Sequence, residues 1–190
     1  MADQFPALDD RLTDFLLRQK IFFSGSAAET GRVNVSPRPT DVLRVMGSNK
    51  VGYLDYIGSG NETAAHFRRV PRLTIMVCAF EGPPRILRLY GAGATHQKGT
   101  PDYQALLSDY WDGTAPRNAR AIVTLDIDLV QTSCGYGVPL FDYVAERVNL
   151  TRWADAKSDA ELVDYRRERN TRSIDGFETG LKDPDLLERT

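Results

Sequence analysis

Histidine and cysteine are scarce in this chain of 190 residues, which has two of each. Cys78 and Cys134 cannot build a disulfide framework. With only His66 and His96 beside them, a structural zinc site is all but excluded, because such sites take four thiolate or imidazole ligands. Neither histidine stands in a recognisable arrangement with a serine or cysteine nucleophile. Cys134 has no adjacent histidine or basic residue to lower its pKa, so it reads as a loop cysteine without chemistry. No apolar run approaches the ~18 residues of a membrane span. The opening Met1-Ala-Asp-Gln-Phe-Pro lacks the positive and apolar regions of a secretory leader. A surplus of positive charge is also missing. The net charge is −2 and the pI about 5.7, which leaves no footprint for nucleic acid. An anionic ligand would have to be met by local cations. These absences together lead to the expectation of a reduced, soluble, cytoplasmic protein with no metal, in which Asn61-Glu62-Thr63 and Asn149-Leu150-Thr151 carry no glycan.

What is present is ordinary globular material, 42% hydrophobic and 26% charged, of a length that fits one domain. Residues 7–19 place Leu8, Leu12, Phe15 and Leu16 at helical spacing. Short β-rich runs follow at 21–24, 31–36, 41–46 and 50–56, each bounded by Gly, Pro, Asn or Ser. Gly58-Ser-Gly-Asn61 is a turn, and 62–69 a short helix stopped before Pro71. Residues 73–80 are nearly all apolar and read as a strand buried on both faces. Residues 85–94 alternate as a strand, 103–111 is helical, 121–130 is a long strand and 134–139 a loop. Residues 143–170 read as charged helices. The segment 171–190 has no period and reads either as an arm over a partner or as disordered. Strands joined by turns argue for a mainly antiparallel sheet or barrel with peripheral helices, and against a doubly wound fold.

Four segments could carry chemistry. In Tyr56-Ile57-Gly58-Ser59-Gly60-Asn61-Glu62-Thr63, a glycine-rich turn runs into a helix, where free N–H groups favour an anion; the bland alternative is an ordinary capped loop. It is neither a Walker loop nor a dinucleotide fingerprint. In Gly31-Arg32-Val33-Asn34-Val35-Ser36, the residues Arg32, Asn34 and Ser36 share one strand face and could line a polar cleft. Arg88 sits among apolar neighbours and needs an anionic partner, from a ligand or from the protein. Gln131, Ser133 and Cys134 end the long strand in a polar, glycine-containing loop of the kind that often carries function.

In this order the segments GRVNVSP, YLDYIGSGNETAAHF, the strand pair 72–78 and 85–93, and VQTSCGYGVPLF resemble the FMN-binding split-barrel proteins related to pyridoxamine 5′-phosphate oxidase. The resemblance covers roughly residues 8–145. It implies a mainly β, α+β fold: a six-stranded antiparallel split β-barrel with peripheral helices, residues 1–145, followed at 146–190 by C-terminal helices and a tail packed on the barrel or on a dimer partner. It further implies a homodimer with FMN at the subunit interface. The cofactor contacts it implies are Arg32, Val33, Asn34, Val35 and Ser36 along the flavin, Tyr56 and Ile57 beside it, Asn61 and Thr63 near the phosphate, Arg88 as a further phosphate cation, and Gln131 and Ser133 from the other subunit. The implied chemistry is hydride transfer between FMN and NAD(P)H or a small organic molecule, with no side chain standing out as a general acid or base.

Two departures qualify that expectation. The oxidase places an Arg-Lys pair on the phosphate where this chain has Glu62-Thr63, so Glu62 is expected to turn away. The basic Arg-Leu-x-Pro tail that holds the oxidase's substrate is absent, so pyridoxal-phosphate chemistry is not expected. The competing readings are a non-catalytic flavin carrier or sensor, the same barrel holding a deazaflavin or haem, and a dimer without ligand.

Overall fold

The computed structural model describes residues 2–181. Along the chain run β1 (Asp3–Phe5), α1 (Asp10–Arg18), β2 (Ile21–Ser26), β3 (Asn34–Pro39), β4 (Leu43–Gly47), β5 (Lys50–Tyr56), α2 (Glu62–Phe67), β6 (Arg72–Cys78), β7 (Ile86–Gln97), α3 (Pro101–Tyr110), β8 (Ala119–Ser133), α4 (Asn149–Asp155) and α5 (Asp159–Arg169). One antiparallel sheet holds all the strands in the order β3-β2-β6-β7-β8-β5-β4, with β1 on β8. The split-barrel class expected from the sequence is what forms. The sheet has eight strands in place of six, since every strand run read in the sequence pairs into it and β1 adds another.

Local chemistry sets the boundaries. Asp9 accepts the Leu12 N–H at 2.7 Å and starts α1, which buries Leu12, Phe15 and Leu16. β3 runs through Pro37 and Pro39, which is possible because β3 is an edge strand with no partner for those missing donors on one side. It begins at Asn34 and not at Gly31, whose φ of +85° takes the chain out of strand geometry. The strand buried on both faces is β5, where Val51 to Asp55 are all buried between β4 and β8. β6 was expected in that role, but it alternates, with Leu73, Ile75 and Val77 inward and Thr74 and Met76 half-buried. Residues 143–148 are irregular, not helical. The helical stretch is divided after Asp155, where Ser158 and Glu161 form a capping box that starts α5.

Two cores result. The main one joins α1, α3 and the concave side of the sheet. A small one holds Ile57, Ala154 and Leu162, with Trp153 and Tyr165 edge to face at 4.9 Å, and so seats the α4–α5 hairpin on the end of β5. Residues 170–181 then return as a strap with an isolated bridge between Arg172 and Glu178. The tail was read as an arm or as disorder; this part is an ordered strap, and 182–190 lies outside the described residues.

The sheet curls far enough for distant strands to meet. Asp55 on β5 accepts from Arg38 on β3 at 2.6 Å and from Arg120 on β8 at 2.7 Å. Arg38 also reaches Ser24 at 3.0 Å and lies over the Tyr53 ring, and Phe22 on β2 meets Tyr53 edge to face at 5.2 Å. β3 and β5 lie near opposite ends of the strand order, so this buried triad spans the split. Burial alone would raise the Asp55 pKa; Arg120 first, and then Arg38, hold it below the ordinary carboxylate range.

Asp55→Asn leaves two buried guanidiniums facing a neutral amide, and the expected cost is about 3–5 kcal/mol in denaturant unfolding. In the unmodified protein Asp55 contributes stability above the unfolded carboxyl pKa of about 4. That contribution is lost as the pH falls through the lower folded value, because the unfolded chain takes up the proton first. The acid loss of stability below about pH 4 is therefore smaller in the Asn variant; identical acid profiles would contradict this. At the register shift of β7, a Cβ on Gly91 would overlap the Asp126 carbonyl. Gly91→Ala is expected to cost about 1–3 kcal/mol, read as a lowered melting temperature.

Candidate functional site

The expected site residues separate into groups. On the concave side of β2 and β3, Asn34 donates to the Thr63 hydroxyl at 3.3 Å and Ser36 donates to Asn34 at 3.2 Å. Ser26 joins them, 3.5 Å from Thr63 and 3.0 Å from His66 Nδ1. His66 Nε2 is buried and has no partner. Three of the expected residues thus meet in one polar cluster, held by the antiparallel β2–β3 register and the first turn of α2. The alternation that puts Asn34 and Ser36 inward turns Val33 and Val35 outward, and they are 71% and 63% exposed. Asn61 is buried and donates to the Asn170 carbonyl at 3.3 Å, so it ties the turn to the strap. Ile57 is spent in the small core, and its N–H binds the Asn118 carbonyl at 2.7 Å. Tyr56 is half-buried; burial, and then the charge of Asp41, raise its pKa.

A second cluster lies on β7 and β8, where the register sets Arg88 opposite Gln131. Arg88 donates to Ser133 Oγ at 3.1 Å, and the Tyr90 hydroxyl to Gln131 at 3.4 Å. The sequence asked for an anion beside Arg88. Among the described residues no carboxylate pairs with it, and a serine hydroxyl is what it holds. No hydrogen bond joins this cluster to the first among the described residues.

Arg32 stands apart from Asn34 and Ser36. Its backbone N–H donates to Asp175 Oδ2 at 2.6 Å and its guanidinium to Asp175 Oδ1. These contacts, the backbone one first, hold the Asp175 carboxyl below its ordinary pKa against the opposing effect of burial. A Cβ on Gly31 would come within 2.6 Å of the same carboxylate, so the glycine opens the cradle in which an anion sits. Glu62 accepts the Ile174 N–H at 3.1 Å and is occupied by the strap. In the interior, Arg120 reaches from Asp55 to the Gly60 carbonyl at 2.8 Å and fixes the glycine turn.

Sequence reading missed Arg38, Asp55, Arg120 and Asp175. Arg38 follows Asn34 and Ser36 at strand spacing and could have been found. Asp55 is the one acid in an apolar run, which is also a signal. Asp175 lies in a segment with no period, and nothing local marks it.

Three open clefts flank these groups. One of about 320 Å³ lies between α2, β7 and the strap, one of about 340 Å³ lies beside Lys20, Asp41 and Glu146, and one of about 210 Å³ lies beside Arg85 and Ser133. Of the expected site residues only Ser133 lines any of them. The apolar exposure is concentrated on the irregular arm after β8, where Tyr136, Leu140, Phe141 and Val144 are 84%, 75%, 61% and 92% exposed. No helix of the described residues is long and apolar enough to cross a membrane.

No family model matches the chain. A curated protein of Aspergillus flavus, the pyridoxamine 5′-phosphate oxidase family protein ustO, is 37% identical over 189 residues, covering 91% of this chain and 76% of its own. Among solved structures, a HupZ variant of Group A Streptococcus gives a TM-score of 0.54 at 14% identity, over 66% of this chain and 98% of its own. A Lactobacillus delbrueckii protein described as a candidate pyridoxamine 5′-phosphate oxidase gives 0.51 at 15% identity, over 66% and 94%. At these identities the structures speak for the fold alone; the curated relative speaks for more, and by it the chain belongs to the pyridoxamine 5′-phosphate oxidase family.

Proposed function

We propose that this chain is an FMN-binding flavoprotein, working as a flavin-dependent oxidoreductase, in which a second copy completes the site. The observation that carries the reading is the meeting of Asn34 and Ser36 with Thr63, which joins the β3 face to the α2 start where the family resemblance puts the cofactor. The donor set suits an oxyanion: at Gly31–Arg32 a backbone N–H and a guanidinium already hold one, the Asp175 carboxylate. Arg88, which among the described residues holds a hydroxyl, is a second cation for a phosphate or for the electron-rich edge of a flavin. Bound flavin supplies the redox chemistry. The chain's part is to grip the phosphate through Arg32, Asn34 and Thr63, to orient the ring along β3, and to offer Gln131 and Ser133 to the partner's cofactor. His96 Nε2 is engaged by Thr124, and His66, whose Nδ1 meets Ser26, keeps its unpartnered Nε2 buried in the interior, which favours flavin over a haem needing an accessible imidazole ligand.

The dimer reading rests on the arm after β8. Tyr136, Leu140, Phe141 and Val144 are exposed close together in the chain, and apolar exposure gathered in this way marks an interaction surface. A second copy is the occupant that places one subunit's Gln131–Ser133 strand end beside the other's cofactor.

The purified protein is expected to show an oxidised-flavin spectrum and to release a mass equal to FMN; a colourless protein that ignores added FMN would sink the reading. Arg32→Ala should weaken FMN binding about 10- to 100-fold, the worth of one hydrogen bond to a charged group; unchanged titrations would remove Arg32 from the site. Val144→Asp, at a side chain with almost no contacts of its own, should leave the fold intact by circular dichroism, give a monomer in sedimentation and lower flavin retention. A Val144→Asp dimer would reject the arm as the interface.

A further inference from the structure

The strap at 170–181 is built around a single turn. The Gly176 N–H donates to the Ser173 carbonyl at 2.9 Å, the Ser173 hydroxyl accepts the Phe177 N–H at 3.0 Å, and Gly176 takes a φ of +82°. That turn presents Asp175 at its tip. The Asp175 side chain is 10% exposed, whereas its partner Arg32 is 70% exposed, so the strap residue is the inserted one. Four further ties hold the strap over the glycine turn and α2. Glu62 takes the Ile174 N–H; Asn170 donates to the Gly58 carbonyl at 2.9 Å; Asn61 donates to the Asn170 carbonyl at 3.3 Å; and Arg69 covers the Phe177 ring. The two ties beside Asp175, from Glu62 and Arg69, are exposed contacts of small energy. The group held in the cradle is an anion with two oxygens, gripped by donors that suit a phosphate equally well.

We infer that the strap is a latch, and that Asp175 is an internal competitor that must leave Arg32 before a ligand phosphate can take its place. The inference rests on the reading of Arg32 as a phosphate contact. The latched state multiplies the apparent affinity by the fraction of chains that are open, and so lowers it. Binding of flavin then carries a second event, release of the strap, so one end of the chain reports whether the site is filled.

The experiment measures FMN affinity by fluorescence quenching and follows hydrogen exchange at the Arg32 and Ile174 amides. Asp175→Asn is expected to bind FMN about three- to tenfold more tightly, with a faster-exchanging Arg32 amide, while saturating FMN deprotects Ile174 in the unmodified protein. Glu178→Gln removes the same charge from the same strap but touches Arg172, not Arg32, and is expected to leave affinity unchanged. Equal gains in both variants would reduce the effect to general repulsion and overturn the latch. So would unchanged or weaker binding by Asp175→Asn, or an Ile174 amide that stays protected with FMN bound. If neither form binds FMN, the flavin reading fails by itself, and inorganic phosphate decides the latch: loss of Ile174 protection with phosphate supports it, and undisturbed protection overturns it.

Discussion

One carboxylate holds the two sides of this barrel together. Asp55 is fully enclosed and satisfies two guanidiniums that come from strands far apart in the sheet order. Ion pairs of this kind add little net stability over a well-packed apolar core, because their desolvation offsets their attraction. Their effect here is geometric. Arg38 can reach Asp55 only if the sheet has curled, and Arg120 can reach the Gly60 carbonyl only if the turn before α2 lies on the end of β8. The curl of the barrel and the position of the glycine turn are thus fixed by the same three side chains, and the polar cluster of Asn34, Ser36 and Thr63 sits where those constraints cross.

The two polar groups are of different kinds. The β3–α2 group is internally hydrogen-bonded, whereas the Arg88–Ser133 group pairs a full charge with a neutral hydroxyl and lies beside an open cleft. On the two-subunit reading proposed above, each chain supplies one of these groups to a shared site. The arm that leaves β8 directly after Ser133 is the most apolar exposed stretch of the described residues, so apolar surface lies next to the second group. Family membership and the departures at Glu62 and in the tail are compatible on this view. The oxidase's extra cation at Glu62-Thr63 is missing, and the strap binds that same glutamate through a backbone N–H.

Much of the fold was legible because it rests on period and punctuation. The alternation in 85–94, the apolar run of β5 and the glycine turn before α2 each carry their structure locally. Asn34 and Ser36 were found because strand parity alone puts them on one face. What escaped depends on contacts between distant segments. β1 is too short to leave a period, and it exists because the end of β8 has a free edge. The exchange of roles between β5 and β6 is set by what packs on each face of the sheet, which no local pattern records: both are apolar runs, and β5 is the one without a wet face. The Asp175 contact needs the strap to travel back across the molecule, and the sequence there shows only two glycines and scattered charges.

β8 gives the chain a particular history during synthesis. It pairs with β7 along twelve positions and also supplies the register for β5, although Arg120 lies 65 residues after Asp55. A growing chain therefore makes β5 early and leaves one of its hydrogen-bonding edges bare until β8 has emerged, and such long-range pairing is slow and exposed to aggregation. Over that interval Asp55 has no arginine from β8 to pair with. Only Arg38, which precedes it in the chain, can then meet it, and a charge set in an apolar run of strand is the kind of residue that discourages a bare edge from joining another nascent chain. The residue that later closes the barrel is, until then, its safeguard on the ribosome.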